Sequence, residues 1–213
     1  MKKFTSIRLT FLLFFMGMGL VFLLGSFSYP VFPLNPYGNG IKWTIMPNSF
    51  LTINGSSNVN RFGCETDGAF QAETLWGTPS QQGKTIHMEG AVTVAINQFD
   101  CNNKMLTNDL RKTLKAKEYP EMVIRFVSLE RMPVSDGKED FVSGKVTIEL
   151  AGQQKPFELM YSFIKTTSGY KLQGGRTFSF TDFDLSPPKK IGGLIKVKDH
   201  FEVTFTLLLL EAN

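Results

Sequence analysis

Ile86-His87-Met88-Glu89-Gly90-Ala91-Val92-Thr93-Val94-Ala95-Ile96 sets apolar side chains at Ile86, Met88, Val92, Val94 and Ile96, with His87, Glu89, Thr93 and then Asn97 on the other face. A period of two describes a strand that is wet on one side and dry on the other. The same period runs through Val142, Val146, Ile148 and Leu150, interleaved with Ser143, Lys145, Thr147 and Glu149. It returns in Phe157, Leu159, Tyr161 and Phe163, and again in Phe201, Val203, Phe205, Leu207 and Leu209. Ser135-Asp136-Gly137-Lys138, Ala151-Gly152-Gln153-Gln154 and Thr167-Ser168-Gly169 supply turns between such strands. Half-buried strands joined by turns predict a mainly β protein whose antiparallel sheet closes into a barrel or sandwich. A barrel of about eight strands has an interior able to hold one ligand. Here that interior is lined by Phe, Leu, Ile and Val, which suits a lipid.

The first residues stand apart from this pattern. Lys2, Lys3 and Arg8 precede an apolar or small-residue run from Leu9 to Leu24, and Ser26-Phe27-Ser28 offers a small-x-small cleavage site. Residues 1–28 therefore read as a secretory signal peptide, the alternative being a retained anchor that tethers the protein to a membrane. The location this implies is periplasmic or secreted, in a bacterium. The chain holds 23 Lys and Arg against 19 Asp and Glu, and residues 1–28 carry three of those cations and no acid. The remainder is close to neutral, 20 against 19, which gives a nucleic-acid partner no basic stripe to rest on. Residues 29–40, with Pro30, Pro33, Pro36, Gly38 and Gly40, read as an extended tether, and residues 41–213 as a single barrel domain. Cys64 and Cys101 match no metal spacing; in an exported chain the two alternatives are a disulfide and a pair of buried thiols.

Further strands are expected at 41–45, 50–53, 57–64, more weakly at 70–75, then as one long strand to Phe99, and at 123–131, 141–150, 157–166, 170–180 and 200–210. Gly55 and Gly63 suggest bulges. Leu106, Leu110 and Leu114 form a narrow stripe on a helix expected from about Asn108 to Lys117, capped by Thr107 or Asn108 and stopped by Pro120. Leu207-Leu208-Leu209-Leu210 is apolar on both faces, which calls for a cover such as this helix.

A search for catalytic or metal-binding patterns comes back empty. His87 and His200 have no partner spaced for a metal, and no nucleophile elbow, phosphate loop or dinucleotide fingerprint is present. Asp182 and Asp184 read as turn-forming or capping residues. No enzyme activity, cofactor or metal is expected. The inward-facing candidates for ligand contact are Ile86, Met88, Val92, Val94, Val146, Ile148, Phe157, Leu159, Tyr161, Phe163, Leu172, Phe178, Phe180, Phe201, Val203 and Phe205. Arg176 falls on the same inner face by alternation. It is a candidate for a lipid headgroup at the barrel mouth, unless Gly174-Gly175 forms a bulge that turns it outward.

Several segments together resemble one family. Phe50-Leu51-Thr52-Ile53 with Ser57-Asn58-Val59 resembles its opening strands. Leu110, Tyr119-Pro120-Glu121-Met122, Ile124 and Phe126 resemble its helix and the strand after it. Val142-Ser143-Gly144-Lys145-Val146-Thr147-Ile148 with Gly152 and Lys155-Pro156 resembles its central hairpin. Phe178 to Phe183 and Lys196 to Leu207 resemble its closing segments. From about Phe50 onward the chain is similar to the YceI-like, polyisoprenoid-binding family. It departs at Thr181 and Asp184, where the family usually has Arg and Gly, and at Asn108-Asp109-Leu110, which lacks the family's His. The resemblance implies a lipocalin-like antiparallel barrel of about eight strands with one short amphipathic helix. It further implies an exported protein holding a long isoprenoid, polyprenyl or quinone-type lipid as carrier or reservoir, with transient membrane contact and no catalysis; a homodimer also fits. The alternative is an exported structural or interaction barrel with a self-filled core.

Overall fold

The computed structural model describes residues 40–66, 70, 73–134, 136–190, 192 and 194–212. The leader at 1–28 and the tether up to residue 39 lie outside the described residues. The alternating segments form β1 (Ile41–Ile45), β2 (Phe50–Ser56), β3 (Arg61–Thr66), β4 (Thr74–Pro79), β5 (Ile86–Glu89), β6 (Ala91–Ala95) and β7 (Phe99–Asp100). Helix α1 (Lys104–Thr113) follows, then β8 (Glu121–Leu129), β9 (Glu139–Leu150), β10 (Gln153–Thr166) and β11 (Gly169–Ser179). Two short strands, β12 (Lys189–Lys190) and β13 (Ile195–Lys196), pair with each other before β14 (His200–Ala212).

The main sheet runs β1-β4-β5-β8-β9-β10-β11-β14 and closes through the β14–β1 pairing, an eight-stranded antiparallel barrel. Closure pairs each strand of this path with a neighbour on both sides over at least part of its length. The barrel has two tiers. Leu209–Ala212 of β14 pair with β1, whereas Glu202–Thr206 pair with β2. On the far side, Glu121–Arg125 of β8 pair with β6, and Ser128–Leu129 with β5. The second tier is completed by the β2–β3 and β3–β7 pairings.

Local chemistry sets the breaks between tiers. Pro47, between β1 and β2, has no N–H to continue a ladder. Ser49, fully buried, takes over: its hydroxyl donates to the Met46 carbonyl at 2.7 Å and accepts from the Leu208 N–H at 3.0 Å. The expected long strand to Phe99 is broken at Gly90, whose φ is +120°, and ends in a 3-10 turn at Ile96–Gln98. A Cβ at Gly90 would lie 2.4 Å from the Thr74 carbonyl oxygen, so this passage requires glycine.

Other expectations are corrected in the same way. The helix begins at Lys104, because the Asn103 side chain accepts from the Met105 and Leu106 N–H groups; it ends before Lys115, at φ +55°, well short of Pro120. Strand β4 begins at Thr74 rather than Phe70, and residues 57–60 form a turn rather than the start of β3. Gly55 and Gly63 make no bulge: their register with Phe62 and Asn54 is regular, and Gly55 leaves room for the Phe62 ring. Helix α1 packs by β7 rather than over β14, and Leu210 stays exposed.

Cys64 and Cys101 are bridged. They continue the short β3–β7 ladder, whose pairs are Glu65 with Asp100 and Thr66 with Phe99. The bridge closes a separation of 37 residues. Replacing both cysteines by serine is expected to lower unfolding free energy by about 3–4 kcal/mol in the chain-entropy picture, read by denaturant titration.

The β8–β9 connection is stapled by Arg131, whose Nη1 and Nη2 donate to the Asp140 carboxylate at 2.7 and 2.6 Å. The bond from Arg131, with the Val134 N–H, holds the Asp140 carboxyl down at about 2 against an ordinary 3.8. A depressed carboxyl stabilises the fold above its unfolded pKa and loses that contribution as pH falls through the folded one. Asp140→Asn should therefore cost about 0.5–1 kcal/mol at neutral pH, and the gap from wild type should close between about pH 4 and pH 2. A gap independent of pH would exclude the ionic origin.

Candidate functional site: the barrel lumen

Side chains at alternate positions of every long strand turn inward, but the two tiers use them differently. In the β1, β4 and β5 tier they fill the interior. Trp43 and Tyr170 meet edge to face with ring centroids 6.5 Å apart, and Phe163 and Tyr170 at 6.4 Å. Ile86 and Met88 crowd the space over Gly77 beside Trp43. In the β2 and β6 tier the inward side chains bound a cavity holding about 810 Å³ of atom-free space, counting its open mouth. It is a narrow slot.

Val92, Ile148, Leu159, Tyr161, Phe178, Phe201, Val203, Phe205 and Arg176 line this slot. Ile86, Met88, Val94, Val146, Phe163, Leu172 and Phe180 are buried in packed core away from it, and Phe157 lies half-buried against Phe178. The lining also includes Leu51 and Ile53 of β2, Met122, Ile124 and Phe126 of β8, Leu114 after α1, and Phe183. The period-two signal was present in β2 and β8. Phe183 is the last residue of a 3-10 turn at Phe180–Phe183, and no periodicity marks it. There Asp182 accepts from the Ser179 N–H and Asp184 adopts φ +51°, the capping roles expected of them.

The wall of the slot has a seam. The β10–β11 ladder ends at Tyr161 with Gly174, although β10 continues back to Gln153 beside β9 and β11 continues to Ser179 beside β14. Between Gln153–Met160 and Gly175–Ser179 side chains replace the missing backbone pairs. Phe157 meets Phe178 edge to face at 5.0 Å, and Phe183 approaches both rings at 5.8 and 6.0 Å. Arg176 Nη1 reaches across to the Glu158 carbonyl at 3.0 Å, its guanidinium 5.3 Å from the Phe157 ring centroid. The β11–β14 register runs unbroken through Gly174 and Gly175, so no bulge turns Arg176 outward. Its inner-face position opens to solvent at the seam, and the protein itself supplies its partner.

The polar side chains among the described lining residues are Tyr161 and Arg176. Burial pushes the Tyr161 phenol up, so it stays protonated. Among the described residues no group of three or more His, Cys, Asp and Glu is placed to hold a metal. His87 sits exposed, 3.7 Å from Glu89.

A YceI-like domain family model matches residues 43–209. The chain belongs to the YceI-like family. Membership places this YceI-like chain among binding proteins rather than enzymes. The fold is also that of a polyisoprenoid binding domain from Saccharophagus degradans implicated in plant cell wall breakdown, at 13% identity and a TM-score of 0.58. That match covers 80% of this chain and 98% of the other. BcnA of Burkholderia cenocepacia matches at 13% identity with a TM-score of 0.56, covering 78% and 96%. No curated protein matches the chain.

If the slot is the binding site, filling it abolishes uptake. Ile124→Trp is expected to cost about 1–3 kcal/mol through overpacking while leaving the barrel folded. It should also remove the fluorescence gain of an apolar dye titrated into the protein. Retention of that gain would place binding elsewhere.

Proposed function

We propose that this protein is an exported carrier or reservoir for a long-chain isoprenoid or similar lipid, held in the hollow tier of the barrel. The observation that carries the reading is the slot: a narrow cavity with an apolar wall inside a closed barrel. Transfer of one five-carbon isoprene unit out of water is favourable by about 4 kcal/mol, so a long chain does not cross water unaided. Relative to a bilayer the same slot gains little, because lipid tails are equally dry. Loading and unloading are then both feasible, as a carrier requires. The polyisoprenoid binding domain of matching fold supports this cargo class, and the leader together with the bridged cysteines supports export.

The seam is the route by which the cargo enters. Its contacts are side-chain contacts, which open at far lower cost than a ladder of backbone hydrogen bonds. A pair of surface loops before β3 and β14 suits a membrane surface. Val59 and Leu194 project there at 63% and 73% exposure, among exposed Arg61, Lys189, Lys196 and Lys198. The Asn58 side chain ties the two loops together, donating to the Leu194 carbonyl at 2.9 Å and accepting from the Lys196 N–H at 2.9 Å. Apolar tips flanked in the chain by basic residues match an anionic bilayer.

Native mass spectrometry of the purified mature protein, with lipid extraction, tests the reading. A stoichiometric long-chain lipid that transfers to acceptor vesicles is expected. An empty protein that also refuses offered isoprenoids would make this a self-filled structural barrel. Arg176→Ala should speed loading and release together by removing the bridge across the seam; unchanged exchange rates would take Arg176 out of the route.

A further inference from the structure

Among the described strands, the most exposed large apolar side chains are Phe141 of β9 and Met160 of β10, each 56% exposed. Both stand on the outer wall of the β9–β10 hairpin. Phe141 pairs with Ser162 and Met160 with Ser143, so two large side chains and two small ones alternate on adjacent rows. Diagonal neighbours on one face of a ladder are within reach of aromatic and long side chains. The serines are engaged with exposed acids: Ser162 donates to the Glu139 carboxylate, and Ser143 to that of Glu158 at 2.9 Å. One row further along, exposed Lys145 stands opposite Glu158.

An aromatic ring and a methionine side by side on an outer wall, rimmed by both signs of charge, have the composition of a protein contact. An anionic bilayer is a poor occupant, because Glu139 and Glu158 are held beside the apolar pair. A second copy of the chain fits. Two sheets stacked face to face keep their strands nearly aligned, and a two-fold axis running along the hairpin, between its strands, exchanges β9 with β10. That operation sets Phe141 against Ser162 of the partner subunit and Met160 against the partner's Ser143, large against small. It also sets Lys145 against the partner's Glu158, and does so twice. Glu139, the first residue of β9, is left in solvent at the end of the face.

We propose that the outer wall of β9 and β10 is a self-association surface through which two copies form a symmetric dimer. Strand β9 has 12 residues, so the face is about 40 Å long and, at two strands, about 10 Å wide, or about 400 Å² per copy before rim contacts. Standard interfaces bury about 800 Å² per partner, so this association is weak and reversible. Because the axis runs along the strands, the hollow tiers of the two copies lie at the same end of the pair. The pairing does not depend on what fills the slot.

Sedimentation equilibrium of the mature protein between about 10 μM and 1 mM tests the proposal. The average mass of wild type should climb from one chain toward two across that range. Lys145→Glu and Glu158→Lys should each weaken association about tenfold, since each variant sets like charges against one another twice. Mixed in equal amounts, the same two variants should associate again, because each then meets the opposite charge on the other. Charge pairing within one chain cannot produce that rescue. Phe141→Ser, which removes a ring already largely in solvent, should abolish association and leave the thermal midpoint near that of wild type. A wild type that stays monomeric at 1 mM overturns the proposal, as does undiminished association of Phe141→Ser or of either charge variant. A mixture that associates no better than its components overturns it too.

Discussion

Strand β14 is the member on which the rest of the barrel depends. One of its edges is paired with β11 along nearly its whole length, and the other is divided between β1 and β2. Closure and the two-tier layout both follow from that division. Where β14 meets β1, the sheet wraps around Trp43, Phe163 and Tyr170, and aromatic rings occupy the interior. Where it meets β2, the inward side chains, Leu51, Ile53, Val203 and Phe205 among them, bound the slot. A solid end gives the fold its stability, and a hollow end gives it something to do.

The hollow end is also where the wall is weakest. Backbone pairing between β10 and β11 stops at Tyr161 and Gly174, and from there side chains hold the two strands together. Gly174 and Gly175 serve this geometry by absence: a Cβ at Gly174 would lie 2.4 Å from the Phe205 ring, and at Gly175 3.0 Å from the Val203 carbonyl oxygen.

Some elements misled the sequence reading for identifiable reasons. The leucine stripe at 106, 110 and 114 marks a helix but not where it starts, and Asn103 and Asn108 are chemically equal caps. Asn103 prevails because it comes two residues after the bridged Cys101, past the positive φ of Asn102, where the chain must turn. Ile86 to Ile96 keep one phase of alternation across Gly90, so the break there left no trace in the pattern. It is imposed by the Thr74 carbonyl, which belongs to another strand. The glycines read as bulges at Gly55 and Gly63, and as a phase flip at Gly174-Gly175, instead make room for neighbouring rings or side chains across the sheet. Glycine's meaning in a strand depends on its cross-strand partner, and that partner is distant in sequence.

By itself the sequence determined the class of the fold and the face of each long strand, because a pleated backbone sends alternate side chains to opposite sides whatever lies around it. It determined the family as well, through ordered short motifs from Phe50 onward. Which inward residues bound a void, and which fill one, was decided by the tertiary structure alone. Ile86 and Val92 sit on one face with one period, yet one is core and the other is wall. The difference lies in which strand each neighbours across the barrel and in where each ladder ends. Those are pairings between residues far apart in the chain, and no local pattern encodes them.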